Sequence, residues 1–256
     1  MRRVRQAWLG VAALLLSGQA PGETLVIAGD LWCPVNCAPD SPRPGIYVEL
    51  ARDIFAEAGI SVEYRVINWA RALHEARYGY IDAVIGAARS DAPDFVFTAQ
   101  PVSQSRNCFY TVQESQWHFD SLKSLHTQRL AVVNDYSYGE ELDAYVQAEQ
   151  GNPQRLQAAA GQHALALNLA KLLEGRVDVV LENSWVMQEY LARRGYSGTV
   201  RHAGCQQPDI PIYLAFSPAL PRSRDYVQLL DQGLQRYRAD GRMQALLERY
   251  GVREGR

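Results

Sequence analysis

The sequence lacks any second apolar stretch long enough to rival its N-terminal run Ala7 to Leu16, and that run falls well short of the roughly 20 residues a membrane-spanning helix needs. It also lacks an excess of either charge. With 26 basic and 28 acidic side chains its net charge is −2, which gives no electrostatic footprint for a nucleic-acid backbone. No glycine-rich phosphate loop is present, and His74-Glu75 is not followed by the second histidine of a zinc-protease helix. The segment Asp135-Tyr136-Ser137-Tyr138-Gly139 has the strand, serine, helix order of a hydrolase nucleophile elbow. Aspartate stands where the first glycine of that motif belongs, and no partner histidine is indicated. No cofactor, no resident metal and no catalytic residue is therefore expected.

A hydrophobic share of 47% is enough for a core and excludes a disordered chain. Arg2, Arg3 and Arg5 precede the short apolar run, and small residues follow at Ser17, Gly18, Ala20 and Gly22. This is the pattern of a secretory signal peptide, with residues 1–22 expected to be removed before Glu23. No cysteine stands near that site, so no lipid anchor is expected there. The segment holds three arginines and no acid, so the exported remainder is more acidic than the whole.

Cys33, Cys37, Cys108 and Cys205 are an even set in a chain expected to leave the cytoplasm, and disulfides are their default reading. Of three possible connectivities, the short spacing in Cys33-Pro34-Val35-Asn36-Cys37 favours 33 with 37 and 108 with 205. Zinc ligation involving His118 or His202 is the rival.

One pattern occurs twice. Leu25 to Asp30 and Leu130 to Asp135 read as buried strands. Each is followed by a helical periodicity, through Ile46, Leu50, Ile54 and Phe55 in one half and Leu142, Tyr145 and Val146 in the other. A second strand and a second helix follow in both, Asn68 capping Trp69 to Arg77 and Gly161 opening a helix to Leu173. Both halves then reach Gly-x-x-Asp and an apolar strand, at 79–85 and 175–181. Two β-α-β-α-β units imply an α/β protein of two lobes, each a mostly parallel sheet flanked by helices. Phe95 to Val112 and Pro208 to Ser217 read as extended crossings, and Arg224 to Tyr250 as a helix broken at Asp240-Gly241. Two crossings make a hinge. The expected limits are 23–107 for the first lobe, 108–213 for the second, and 214–256 returning to the first.

The segments LVIAGD, PGIYVELARDIFAEAG, WARALHEARYGYIDAVIGAARSDAPDFVF, RLAVVNDYSYGEELDAY, GRVDVVLENSW and LLDQGLQRYRADGRMQALLERYG, in this order, resemble the periplasmic solute-binding proteins of family 3. The resemblance covers most of residues 23–256. It implies a type 2 periplasmic binding fold, a small polar solute trapped between lobes, amino acid-like or a small carboxylate, and delivery to an inner-membrane ABC permease by a monomer. In one respect the sequence departs from the family. Amino acid receptors usually carry, three residues beyond a Thr or Ser, an arginine that grips the ligand α-carboxylate; here Ser90 is followed at that distance by Pro93.

Ligands of open α/β sheets sit beyond the carboxyl ends of strands, which selects Asp30, Trp32, Ala87, Arg89, Tyr136, Ser137, Tyr138, Glu182 and Asn183 as candidate binding residues. Trp32, Tyr47, Trp69, Tyr136 and Tyr138 are candidate apolar walls. The helix start at Ser137 is a candidate anion seat. Arg71 or Arg89 opposite Glu182 would suit a small zwitterion. Two other functions fit the same scaffold: a dehydratase-like enzyme using Glu182 for proton transfer, and a periplasmic sensor subunit for a signalling receptor.

Overall fold

The computed structural model describes residues 22–253, so the segment read as a signal peptide, apart from Gly22, lies outside the described residues. Eleven strands and seven α-helices alternate along these residues. The first half runs β1 (Thr24–Gly29), α1 (Ile46–Ala56), β2 (Ser61–Val66), α2 (Trp69–Arg77) and β3 (Ala83–Ala87). The repeat of that order is β7 (Leu130–Val133), α3 (Glu140–Ala148), β8 (Leu156–Ala159), α4 (Ala164–Leu173) and β9 (Val179–Asn183). Between them lie β4 (Val96–Phe97), β5 (Ser103–Ser105) and β6 (Asn107–Val112). After them come α5 (Ser184–Arg194), β10 (Val200–Cys205), β11 (Ile210–Phe216), α6 (Ser223–Ala239) and α7 (Arg242–Arg249).

Two sheets result. The first has the order β2-β1-β3-β11-β4, with β5 also on β11; the second is β10-β6-β9-β7-β8. β2-β1-β3 and β8-β7-β9 are parallel and equivalent. Each is extended by an antiparallel strand from a crossing segment, β11 beside β3 and β6 beside β9. Ile210, Pro211 and Ile212 pair with β5, and Tyr213 with Ala87. That pairing shifts the expected second-lobe limit at 213 back to the passage between Cys205 and Ile210.

The repeated Gly-x-x-Asp phrase has one structural task in both halves. Asp82 accepts the Val26 N–H at 2.7 Å, and Asp178 accepts the Arg129 N–H at 2.8 Å. Each carboxylate thus satisfies a backbone donor near the start of the central strand and holds that strand beside its neighbour. Asn68 caps α2 by accepting the Arg71 N–H, and Gly79 and Gly175 adopt the positive φ that the chain needs after α2 and α4.

The main core packs α1, α6 and α7 on one face of the first sheet, around Leu25, Ile27, Leu50, Phe55, Phe216, Tyr226 and Leu234. α2 covers the other face. The second sheet is likewise buried on both faces, around Phe109, Leu130 and Leu181 on one and Tyr110, Leu169 and Met187 on the other. Both favoured disulfides are present, Cys33–Cys37 and Cys108–Cys205. The second joins neighbouring β6 and β10. Among the described residues, no helix is long and apolar enough to cross a membrane.

Candidate functional site

The carboxyl ends of β1, β3, β7, β8 and β9 converge between the sheets. A cavity of about 530 Å³ opens there, lined by Asp30, Trp32, the Cys33–Cys37 disulfide, Tyr136, Gly161 to Ala166, Glu182 and the face of α5 bearing Val186, Glu189 and Tyr190. A smaller pocket of about 40 Å³ adjoins it, and Asp30, Trp32, Tyr136 and Glu182 line both. Trp69, Asp91, Ser137 and Tyr138 close the smaller one.

Asp30 follows β1 directly. Its Oδ2 accepts the Tyr136 hydroxyl at 2.6 Å, a bond from the first lobe to the second. Burial pushes the Asp30 carboxyl up to about 6, outweighing that hydrogen bond. Glu182, in β9, is 2% exposed. Its Oε1 accepts the Trp32 indole N–H at 3.2 Å, again across the lobes, and the Asn183 N–H at 2.8 Å. Burial raises Glu182 to about 7, and the charge of Asp30 adds to the rise.

Trp32 is placed by a tight loop. Val35 and Asn36 N–H groups both donate to the Trp32 carbonyl, and the Asn36 side-chain amide donates to the Asp30 carbonyl at 2.5 Å. The indole lies over Gly86, where φ is 90° and a Cβ would meet the ring at 3.4 Å. Glycine there permits both the backbone conformation and the close approach. Trp32 also meets the Tyr136 ring edge-on, with centroids 6.5 Å apart.

The candidate anion seat at the start of α3 is already filled by the protein's own carboxylates. Asp143 accepts the Ser137 hydroxyl at 2.6 Å and the Tyr138 N–H at 2.7 Å. Asp91, from the loop after β3, accepts the Ala88 N–H at 2.7 Å and lies against the Ser137 N–H. Burial lifts Asp91 to about 7, with Asp143 adding to it. Ser90 and Ser137 hydroxyls bridge the lobes beside them at 2.9 Å.

Asp30, Trp32, Trp69, Tyr136, Ser137, Tyr138 and Glu182 thus meet around one space. The other candidates lie elsewhere. Tyr47 is buried in the first core, its hydroxyl 2.6 Å from that of Ser103, because it occupies the inward face of α1. Ala87 is fully buried in β3. Asn183 caps α5, its Oδ1 accepting the Trp185 and Val186 N–H groups. Arg71, with its side chain 70% exposed, pairs with Glu75 one turn along α2. Arg89 lies over Phe97 and Tyr213, its guanidinium carbon 4.8 and 4.7 Å from their ring centroids, and donates to the Thr98 carbonyl at 2.9 Å. Neither arginine lines the cavity, which corrects the expected carboxylate clamp. Asp91 and the loop after β8 were missed. The strand-end rule that selected the other loops applies equally to Gly161 to Ala164.

Two similar α/β lobes meeting at the carboxyl ends of their strands define the type 2 periplasmic binding fold, a class of solute-trapping proteins. The chain belongs to the bacterial extracellular solute-binding proteins, family 3, whose profile matches residues 26–253. Similar solved structures include a histidine kinase sensor domain with similarity to periplasmic binding proteins (TM-score 0.74, 20% identity, covering 91% of this chain and 98% of the other). Another was solved for glutathione import via GshT and the cystine ABC importer TcyBC of Streptococcus mutans (0.77, 14%, 91% and 97%). A third is the arginine-, lysine-, histidine-binding protein ArtJ from Geobacillus stearothermophilus (0.72, 15%, 91% and 97%). No curated protein matches the sequence at a significant level.

Proposed function

We propose that this protein is exported to the periplasm, closes its two lobes around one small polar solute of amino acid-like size, and presents the closed form to an inner-membrane ABC permease. The observation that carries the reading is the cleft between the lobes, whose shared wall is made by both, through the Asp30–Tyr136 and Trp32–Glu182 hydrogen bonds. A ligand that touches both lobes only when they are closed shifts the hinge equilibrium toward closure by its differential affinity. Residues 23–107 with those from Ile210 onward, and 108 to the passage before Ile210, are the moving bodies. The chain acts as a monomer and releases its solute chemically unchanged.

Native mass spectrometry and thermal-shift measurements against amino acids, amines, small carboxylates and sugars test this reading. A one-to-one complex that raises the melting temperature, with the solute recovered intact, is the expected result. Converted solute would favour the enzyme reading. The fold shared with a histidine kinase sensor domain keeps a second reading open, in which the closed form is presented to a signalling receptor. Crosslinking of the solute-loaded protein to a permease, rather than to a kinase ectodomain, separates the two.

A further inference from the structure

The groups that would hold a solute carboxylate are committed to the protein itself. At the loop before α3, the Tyr138 N–H and Ser137 hydroxyl bond to Asp143, and the Ser137 N–H lies against Asp91. Asp91 also takes the Ala88 N–H beyond β3. Arg89 is engaged by two rings and a carbonyl, and Arg71 is on the outer surface. The arginines that do line the cavity, Arg193 and Arg194, belong to the last turn of α5, about 14 to 15 Å along the helix from Ser184 at 1.5 Å per residue. There Arg193 pairs with Glu189 at 3.6 Å, and Arg194 lies over the Tyr190 ring at 5.6 Å.

The opposite holds for a positive group. Glu182 lines the cavity and is 2% exposed, and both of its protein hydrogen bonds fall on Oε1. Among the described residues its Oε2 has no hydrogen-bond partner, and no cationic side chain pairs with Glu182 or Asp30. A buried carboxylate without a cation is costly. Trp32 and Tyr136, in edge-on contact with each other, line the same space as aromatic walls, surfaces that attract organic cations. One acid comes from each lobe, so closing the empty cleft brings two carboxylates together, and a cation between them turns that repulsion into attraction.

We infer that the solute is an organic cation, held by an amino or guanidinium group between Asp30 and Glu182, and that it needs no α-carboxylate. This rests on the solute-binding reading above and narrows it to a charge class.

Calorimetry with amino acids and their decarboxylated partners tests it: arginine and agmatine, lysine and cadaverine, histidine and histamine, tyrosine and tyramine. In at least one pair the amine should bind ten-fold or more tightly than its parent. Glu182→Gln and Asp30→Asn should each weaken that amine at least ten-fold, while the melting temperature of the empty protein stays level or rises. A merely structural role would lower it. Parents binding as tightly as their amines in every pair would overturn the inference, as would amine affinity within two-fold of wild type in both variants. Tight binding of succinate or glucose would overturn the charge class and leave the receptor reading standing. Binding of nothing in either panel would remove both.

Discussion

Asp30 and Glu182 line the cleft from opposite lobes, and their environment sets a pH dependence. Both carboxyls are raised in the folded protein, to about 6 and about 7 from ordinary values of 3.8 and 4.5. The folded state therefore holds these protons more tightly than the unfolded chain does. Their contribution to stability is fully present below about pH 4 and is lost as pH rises through about 7. Chemical denaturation of the empty protein should show this loss between those limits, and Glu182→Gln should flatten it. The proposed cation binding should run the other way, because the ionised acids would be the binding form. Amine affinity should be about ten-fold or more weaker at pH 5 than at pH 8, and calorimetry near pH 6.5 in buffers of different ionisation heat should register proton release. Asp91 offers a complementary test. Asp91→Ala frees the Ala88 and Ser137 N–H groups, so the affinity of the parent amino acid should rise relative to its amine in paired titrations.

At this scale the sequence was legible where position alone decides. Asp30 and Glu182 stand at strand ends, and the fold carries them into the cleft whatever their neighbours do. The arginines were not legible, since a long side chain follows its nearest partner. Arg71 turns to Glu75 along its own helix, and Arg89 to rings contributed by β4 and β11, the latter 124 positions along the chain at Tyr213.

The elements were read more fully. The Asn68 cap, the glycines ending α2 and α4, and the break at Asp240-Gly241 are local signals, and each stands where its chemistry places it. The lobe limit near 213 was not local: β11 joins the first sheet because β3 offers it an edge, which no nearby residue announces. Helix packing gives a stability prediction. On α6, a Cβ at Gly233 would meet Ile54 side-chain atoms of α1 at 2.3 to 3.0 Å. Gly233→Ala should cost about 1–2 kcal/mol, overpacking of 1–3 kcal/mol exceeding the gain in helix propensity of at most about 1 kcal/mol; urea unfolding reads this. The disulfides differ in kind. Cys108–Cys205 spans 97 positions and should stabilise by about 5 kcal/mol, against about 2 kcal/mol for Cys33–Cys37, which spans four. Cys33→Ser with Cys37→Ser should therefore lower solute affinity, through the Trp32 loop, more than it lowers stability.

For the whole molecule, the repeat explains why a binding site exists at all. Two equivalent units, each completed by a strand from a crossing segment, set the carboxyl ends of their central strands face to face. The cavity belongs to neither lobe alone, and residues from both make its shared wall. Small-angle X-ray scattering during titration with the tightest-binding solute measures this directly. The radius of gyration should fall and saturate at one solute per chain, and Glu182→Gln should shift the transition to higher concentration. An unchanged radius at saturating, calorimetrically verified occupancy would contradict closure around the solute.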